Sequence, residues 1–149
     1  MGIFAKYANK SEYIIIVGCG RLGALLDVTL SDDGKDVLII DKEEKSFKKL
    51  SNAFSGMTMV GDACEMFIRG ECNISKATAV IAVTNMDNTN IMAAQIAKEM
   101  YSIKNVIARL YDPDRECVYQ EFGIKTICPV IMSTDAVCSM LASTDADRI

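Results

Sequence analysis

A chain of 149 residues with a net charge of −4 and half of its residues hydrophobic has the size of one domain with an ample core, and is too apolar to stay disordered. The acidic balance argues against nucleic acid, whose phosphates need a basic face. No histidine is present, so the commonest general acid–base and the commonest metal ligand are both missing, and the scattered cysteines at 19, 64, 72, 117, 128 and 138 hold no C-x-x-C pair for zinc.

The first ten residues lack an apolar targeting core, and the densest apolar run, Tyr13 to Val17, is too short to span a bilayer. The expectation is a cytosolic chain with reduced thiols and no direct membrane insertion. That apolar, β-branched run reads as a strand buried on both faces and stops at Gly18. A helix is predicted from Arg21 to Leu30, a second buried strand from Asp36 to Ile40 ending on Asp41, and a helix from Glu43 to Phe54 with Phe47, Leu50 and Phe54 on one stripe. A short strand at Met57 to Val60 leads through Gly61-Asp62-Ala63 to a short helix near 65–70. Thr78 to Val83 is the fourth strand, and Asp87 to Tyr101 a longer helix whose Ala93, Ala94 and Ala97 allow close approach to a sheet. Val106 to Leu110 is the fifth strand, a helix follows Asp112-Pro113, and a strand at Thr126 to Cys128 precedes a helical tail from about Ser133 to Ala142. Six alternations of buried strand and amphipathic helix imply right-handed crossovers, a doubly wound α/β fold and a single six-stranded parallel sheet.

Gly18-Cys19-Gly20-Arg21-Leu22-Gly23 spells G-x-G-x-x-G directly after a buried strand and at the start of a helix, and Asp41 closes the next strand. This is the setting of a dinucleotide-binding turn. Gly18 permits the turn, Gly20 lets a pyrophosphate approach, and Gly23 lets the helix sit close to the strand; exposed N–H groups and the helix dipole supply the anion site. Asp41 suits both hydroxyls of an adenosine ribose and disfavours a 2′-phosphate, even with Lys42 beside it. Arg21 is read as a phosphate contact. Cys19 reads as a small residue filling a tight loop rather than a redox switch. Asp62 sits where an adenine would lie, Thr84 and Asn85 end the fourth strand beside the switch point, and Asp87 and Asn88 are equally suited to binding or to capping the helix that follows. Arg109 ends the fifth strand at the same edge, where an ion pair with Asp112 or Asp114 is the alternative to ligand binding.

Five blocks, Ile16–Gly23, Ile40–Lys42, Val60–Ala63, Val80–Asn90 and Ile107–Pro113, together resemble the regulatory N-terminal domain of RCK-type proteins, the nucleotide-binding cytosolic subunits of Trk/Ktr potassium-uptake systems. The resemblance covers about residues 12–142, leaving 1–11 as an N-terminal extension and 143–149 as a tail. It implies binding of an adenine nucleotide (NAD, NADH, ATP or ADP), assembly as homodimers within larger rings, and gating of a membrane potassium-translocating subunit at the inner face of the cell membrane. By position it implies that the loop residues 18–23 hold phosphates and Asp41 the ribose. Lys42, Asp62 and Ala63 would line the adenine side, and Thr84, Asn85 and Arg109 would face distal phosphates or a second nucleoside. Members usually continue into a second ligand-binding domain beyond the point where this sequence stops. Many also carry an acid where this chain has Gln120, which leaves a subunit-bridging cation unassigned. The last helix of such domains often crosses onto a partner, and Val137, Met140 and Leu141 have the spacing for that or for packing on their own sheet.

The function expected is a non-enzymatic nucleotide sensor whose ligand shifts an oligomer between arrangements. The alternatives are an NAD(H)-dependent oxidoreductase domain, for which the sheet leaves little chain to build a substrate site, and a redox sensor reading NADH against NAD.

Overall fold

Ile14, Ile15, Ile16 and Val17 are all buried in β1 (Tyr13–Val17), and Val37 to Ile40 are likewise buried in β2 (Asp36–Asp41). Strands so apolar on both sides require cover on both sides. The computed structural model, described over residues 12–52 and 54–146, supplies it. The N-terminal extension of residues 1–11 and the last three residues of the expected tail lie outside the described residues. β3 (Met57–Val60), β4 (Ala79–Ala82), β5 (Asn105–Arg109) and β6 (Lys125–Ile127) complete a parallel sheet in the order β3-β2-β1-β4-β5-β6. The order reverses between β1 and β4, where Val17 lies in register with both Ile40 and Ala82. The doubly wound, six-stranded parallel sheet expected from the sequence is the fold observed.

Alternation along the strands divides the core in two. Ile14, Ile16, Val37, Ile39 and Ile81 face α1 (Arg21–Asp32), while Ile15, Val17, Leu38, Ile40, Val80 and Ala82 face α2 (Ala63–Ile68) and α3 (Asp87–Tyr101). Ala93, Ala94 and Ala97 are fully buried, so α3 lies close on the sheet as its small residues predict. After β5 a turn of 3-10 helix at Pro113–Arg115 leads into α4 (Glu116–Glu121), whose Tyr119 is buried in the same core.

Two elements differ from expectation. Instead of an α-helix from Glu43 to Phe54, residues Glu44–Lys49 form a 3-10 helix and the backbone is extended at Leu50. The stripe was real, since Phe47, Leu50 and Phe54 all pack on the α1 side of the sheet. Bonds from Ser46 N–H to the Glu43 carbonyl, Leu50 N–H to Phe47 and Phe54 N–H to Ser51 follow a three-residue step, which aligns Phe47 with Leu50 without an α-turn. The final helix, α5, spans Pro129–Ala146, earlier than expected because Pro129 takes the first helical position, where its missing N–H costs nothing. Val137, Met140 and Leu141 are 56%, 68% and 63% exposed, so they do not pack on their own sheet.

Candidate functional site

The chain leaves β1 at Val17 and turns at Gly18, where φ is +105° and a side chain would press against the Thr84 backbone nitrogen at 2.9 Å. The Gly18 N–H donates to the Ile40 carbonyl (2.8 Å), which pins the turn to β2. Gly23 has the stricter requirement: a Cβ there would sit 1.9 Å from the Gly18 carbonyl oxygen, so α1 crosses directly over the turn and only hydrogen fits. Gly20 instead faces open space, with nothing within 4 Å of a notional Cβ. The first helical bond runs from Ala24 N–H to the Gly20 carbonyl (2.9 Å). The amides of Arg21, Leu22 and Gly23 are left without intrahelical partners at the positive end of the dipole.

Asp41 fastens the other side of the loop. Its Oδ2 accepts the Cys19 N–H (2.8 Å) and its Oδ1 the Glu43 N–H (2.8 Å). A carboxylate has about four acceptor positions, so lone pairs remain for a ribose. Asp62 caps α2, its Oδ1 accepting the N–H groups of Cys64 (2.9 Å) and Glu65 (3.2 Å), and its Oδ2 stands 3.2 Å from Lys42 Nζ. Burial pulls the Asp62 carboxyl upward, but the Glu65 amide, Lys42 and the Cys64 amide together hold it below its ordinary value.

At the strand reversal these residues enclose a cleft of about 330 Å³. Gly18, Asp41, Lys42, Ala63, Thr84 and Asn85 line it, together with Glu43, Met86 and Thr89. This is the carboxyl edge of the sheet at the topological switch point, where open α/β sheets take their ligands. A larger depression of about 990 Å³ lies at the opposite edge, among Tyr13, Asp36, Gly56 and Thr78, away from the glycine loop.

Other predicted residues are placed differently. The Arg21 side chain is exposed and shares a shallow surface with Leu25 and Lys49 rather than the cleft; only its amide stands at the loop. Leu22 packs into the core on the α1 side. Cys19 is buried, its thiol donating to the Ser46 carbonyl (3.4 Å). Burial, reinforced by Asp41, pushes that thiol up to about 11, the opposite of what a redox switch needs. Arg109 Nη2 donates to the Thr84 carbonyl (2.8 Å) and its guanidinium lies 4.8 Å from the centre of the Tyr111 ring, with Nε buried and unpartnered. The alternative to ligand binding for Arg109, an ion pair with Asp112 or Asp114, is not formed; Arg115 instead stands 3.7 Å from Asp112. Asp87 neither caps α3 nor enters the cleft: its two oxygens accept the N–H groups of Tyr111 (2.8 Å) and Asp112 (3.1 Å). Asn88 accepts from Arg115 (2.7 Å).

Two residues went unnoticed in the sequence. Asn90, fully buried in α3, accepts from the Thr84 amide and hydroxyl and donates to the carbonyls of Thr84 and Arg109. Asp27, fully buried in α1, has no partner for either carboxylate oxygen. Both signals were readable as polar residues on apolar helical stripes, Asn90 with Ala93, Ala94 and Ala97, and Asp27 with Gly23 and Ala24.

Residues 14–129 match the TrkA-N domain. The chain belongs to the TrkA-N family. A Trk system potassium uptake protein TrkA from Streptomyces coelicolor is 38% identical over 137 residues, covering 92% of this chain and 61% of that protein. The chain thus spans about three fifths of that relative. Among solved structures, the TrkA-N domain of the inner membrane protein ybaL from Escherichia coli superposes with a TM-score of 0.76 at 18% identity, covering 88% of this chain and 97% of that one. The AMP-bound C-terminal domain of Kef from Shewanella denitrificans does so at 0.74 and 20%, covering 92% and 87%. Those two show that this TrkA-N chain shares their fold. No helix among its described residues is long and apolar enough to cross a membrane.

Proposed function

We propose that this TrkA-N domain is the nucleotide-binding regulatory part of a potassium-uptake system, and that an adenine nucleotide bound at the glycine loop shifts an oligomer between arrangements that gate a membrane potassium-translocating partner. The single observation carrying the reading is the junction of the glycine turn with Asp41 at the strand reversal: Gly18 and Asp41 both line the cleft, Asp41 accepts the Cys19 amide at 2.8 Å, and Gly20 just beyond faces open space at the start of α1. The α1 amides and dipole would hold the phosphates, Asp41 the ribose hydroxyls, and Lys42, Asp62 and Ala63 the adenine side. Arg109, which has no carboxylate partner among the described residues, supplies a cation for a distal phosphate.

The Trk relative supports the potassium assignment, and the AMP-bound Kef domain supports the ligand class. The exposed Val137, Met140 and Leu141 of α5 support self-association, because a contiguous apolar helix face in water favours a partner. A non-enzymatic role fits the cleft, whose titratable lining residues Asp41, Lys42 and Glu43 all follow from the end of β2. Differential affinity for two arrangements suffices as the energy source.

The test is a thermal-shift panel of ATP, ADP, AMP, NAD, NADH and NADP, each measured against the ligand-free baseline of the wild type and of Asp41→Ala. Ligand at a hundred times its dissociation constant adds about 2.7 kcal/mol, or roughly 5–10 °C for this chain length. A rise with ADP or NAD that Asp41→Ala removes, with little from NADP, is the expected result. No rise with any nucleotide overturns the reading.

A further inference from the structure

The α1 helix that offers its N-terminal amides to a ligand also buries an acid. Gly23, Ala24 and Asp27 form its inward stripe, and the sheet face beneath presents Ile14, Ile16, Val37, Ile39, Ile81 and Val83. Asp27 Oδ1 and Oδ2 have no hydrogen-bond partner, and neither has Ser31 Oγ one turn further along the helix. An ionised carboxylate without donors in such a place is costly, whereas the neutral acid is tolerated. Burial accordingly pushes the Asp27 carboxyl up to about 6.

The surrounding titratable groups do not relieve it. From the glycine loop the neighbour is the Cys19 thiol, which stays protonated near neutrality. Asp41 from β2 and Lys49 from the 3-10 segment act on that same thiol. The segment's own contributions to this core are Phe47, Leu50 and Phe54. Asp27 lies six residues beyond Arg21, about 9 Å along the helix axis from the start of α1, and the proposed phosphates lie a few Å further out beyond that end. Across that distance, through protein rather than water, two negative charges repel strongly enough to shift an equilibrium severalfold.

We propose that nucleotide binding at the glycine loop is coupled to uptake of one solvent proton by the Asp27 carboxylate, so that this domain holds its ligand more tightly as pH falls. The inference rests on the nucleotide reading of the loop. The anionic ligand disfavours the ionised acid, the carboxylate takes a proton from solvent to become the neutral acid, and by linkage acid strengthens binding.

NAD is the right probe, because its pyrophosphate diester does not titrate between pH 5 and 8, whereas a terminal phosphate does so at about 6. Isothermal titration with NAD between pH 5.5 and 8, in buffers of different ionisation enthalpy, measures both affinity and protons taken up. For the wild type, affinity is expected to rise about three- to tenfold from pH 8 to pH 5.5, with net proton uptake near pH 6. Asp27→Asn is expected to remove both effects and to bind at pH 8 as the wild type does at pH 5.5. NAD binding without pH dependence or proton uptake overturns the coupling, and so does coupling that persists in Asp27→Asn. Should that variant not fold, Asp27→Ser takes its place: loss of the proton uptake supports the coupling, and its persistence overturns it. No binding of NAD at any pH, with none of ADP or AMP either, overturns the nucleotide reading and the coupling together.

Discussion

Asn90 Oδ1 accepts both the amide (2.9 Å) and the hydroxyl (2.6 Å) of Thr84, while Asn90 Nδ2 returns a bond to the Thr84 carbonyl (3.0 Å). A single fully buried amide from α3 thereby satisfies the backbone where β4 ends and the cleft begins. It also reaches the Arg109 carbonyl (3.0 Å), holding the exits of β4 and β5 together.

Asn90→Ala is therefore expected to cost about 2–4 kcal/mol, because it removes a buried side chain and its bonds to the Thr84 amide and the Arg109 carbonyl at once, the Thr84 carbonyl keeping Arg109 Nη2. Chemical denaturation measures that loss. The same variant weakens any ligand of the cleft beyond its effect on stability, since Thr84 and Asn85 lose their anchor; a Thr84→Val control keeps the Asn90 bonds to the Thr84 backbone and should lose less.

Gly23→Ala places a methyl 1.9 Å from the Gly18 carbonyl oxygen. Neither backbone has room to give, so α1 must lift from the turn. The expected result is a loss of roughly 2 kcal/mol or more and of the nucleotide-induced thermal shift. Gly20→Ala, in open space, leaves stability nearly unchanged while obstructing a ligand. Finding equal destabilisation in the two variants would contradict the packing described.

The sheet and the loop were legible in the sequence for different reasons. Strands buried on both faces read as unbroken apolar runs, so β1 and β2 announced themselves, and the glycine spacing fixed where the turn and helix begin. The segment after Asp41 misled because a stripe at 47, 50 and 54 serves a 3-10 path and an α-helix alike. Arg21 was placed by its position in the loop alone, which sets where its amide stands; its side chain, free to turn outward at the first helical turn, lies on an exposed surface with Leu25 and Lys49. Asn90 and Asp27 were passed over because an apolar stripe is read by its majority, whereas a buried polar residue draws its meaning from tertiary partners, or from lacking them.

The stability of the ligand-free domain should carry the signature of Asp27. Its folded-state value is raised from 3.8 to about 6, so the native state binds more protons than the unfolded chain between those limits. Stability from this group is greatest at acid pH and falls as pH rises through about 6, by up to about 2 kcal/mol. The difference in unfolding free energy between Asp27→Asn and wild type, followed from pH 4.5 to 8, should grow in favour of the variant. A difference that is constant with pH would show the acid to be solvated.

Self-association through α5 predicts that Met140→Lys and Leu141→Lys reduce the assembled fraction in sedimentation velocity without lowering monomer stability, because both side chains are exposed. A Tyr119 substitution serves as the contrast. Its ring is buried and its hydroxyl donates to the Asp87 carbonyl (2.9 Å), so Tyr119→Ala should unfold the body rather than separate copies, at about 3–5 kcal/mol.

The reversal of strand order has a consequence for how the molecule is held together. Residues up to about 77 supply β3, β2 and β1, and the remainder supply β4, β5 and β6. The seam between these halves is the β1–β4 ladder, continued at the cleft by the bond from Val83 N–H to the Val17 carbonyl (2.8 Å). Gly18 and Asp41 belong to one half, Thr84 and Asn85 to the other. A molecule lodged between them is a rivet across the seam, and two fragments cut in the loop before β4 would rejoin more readily in its presence.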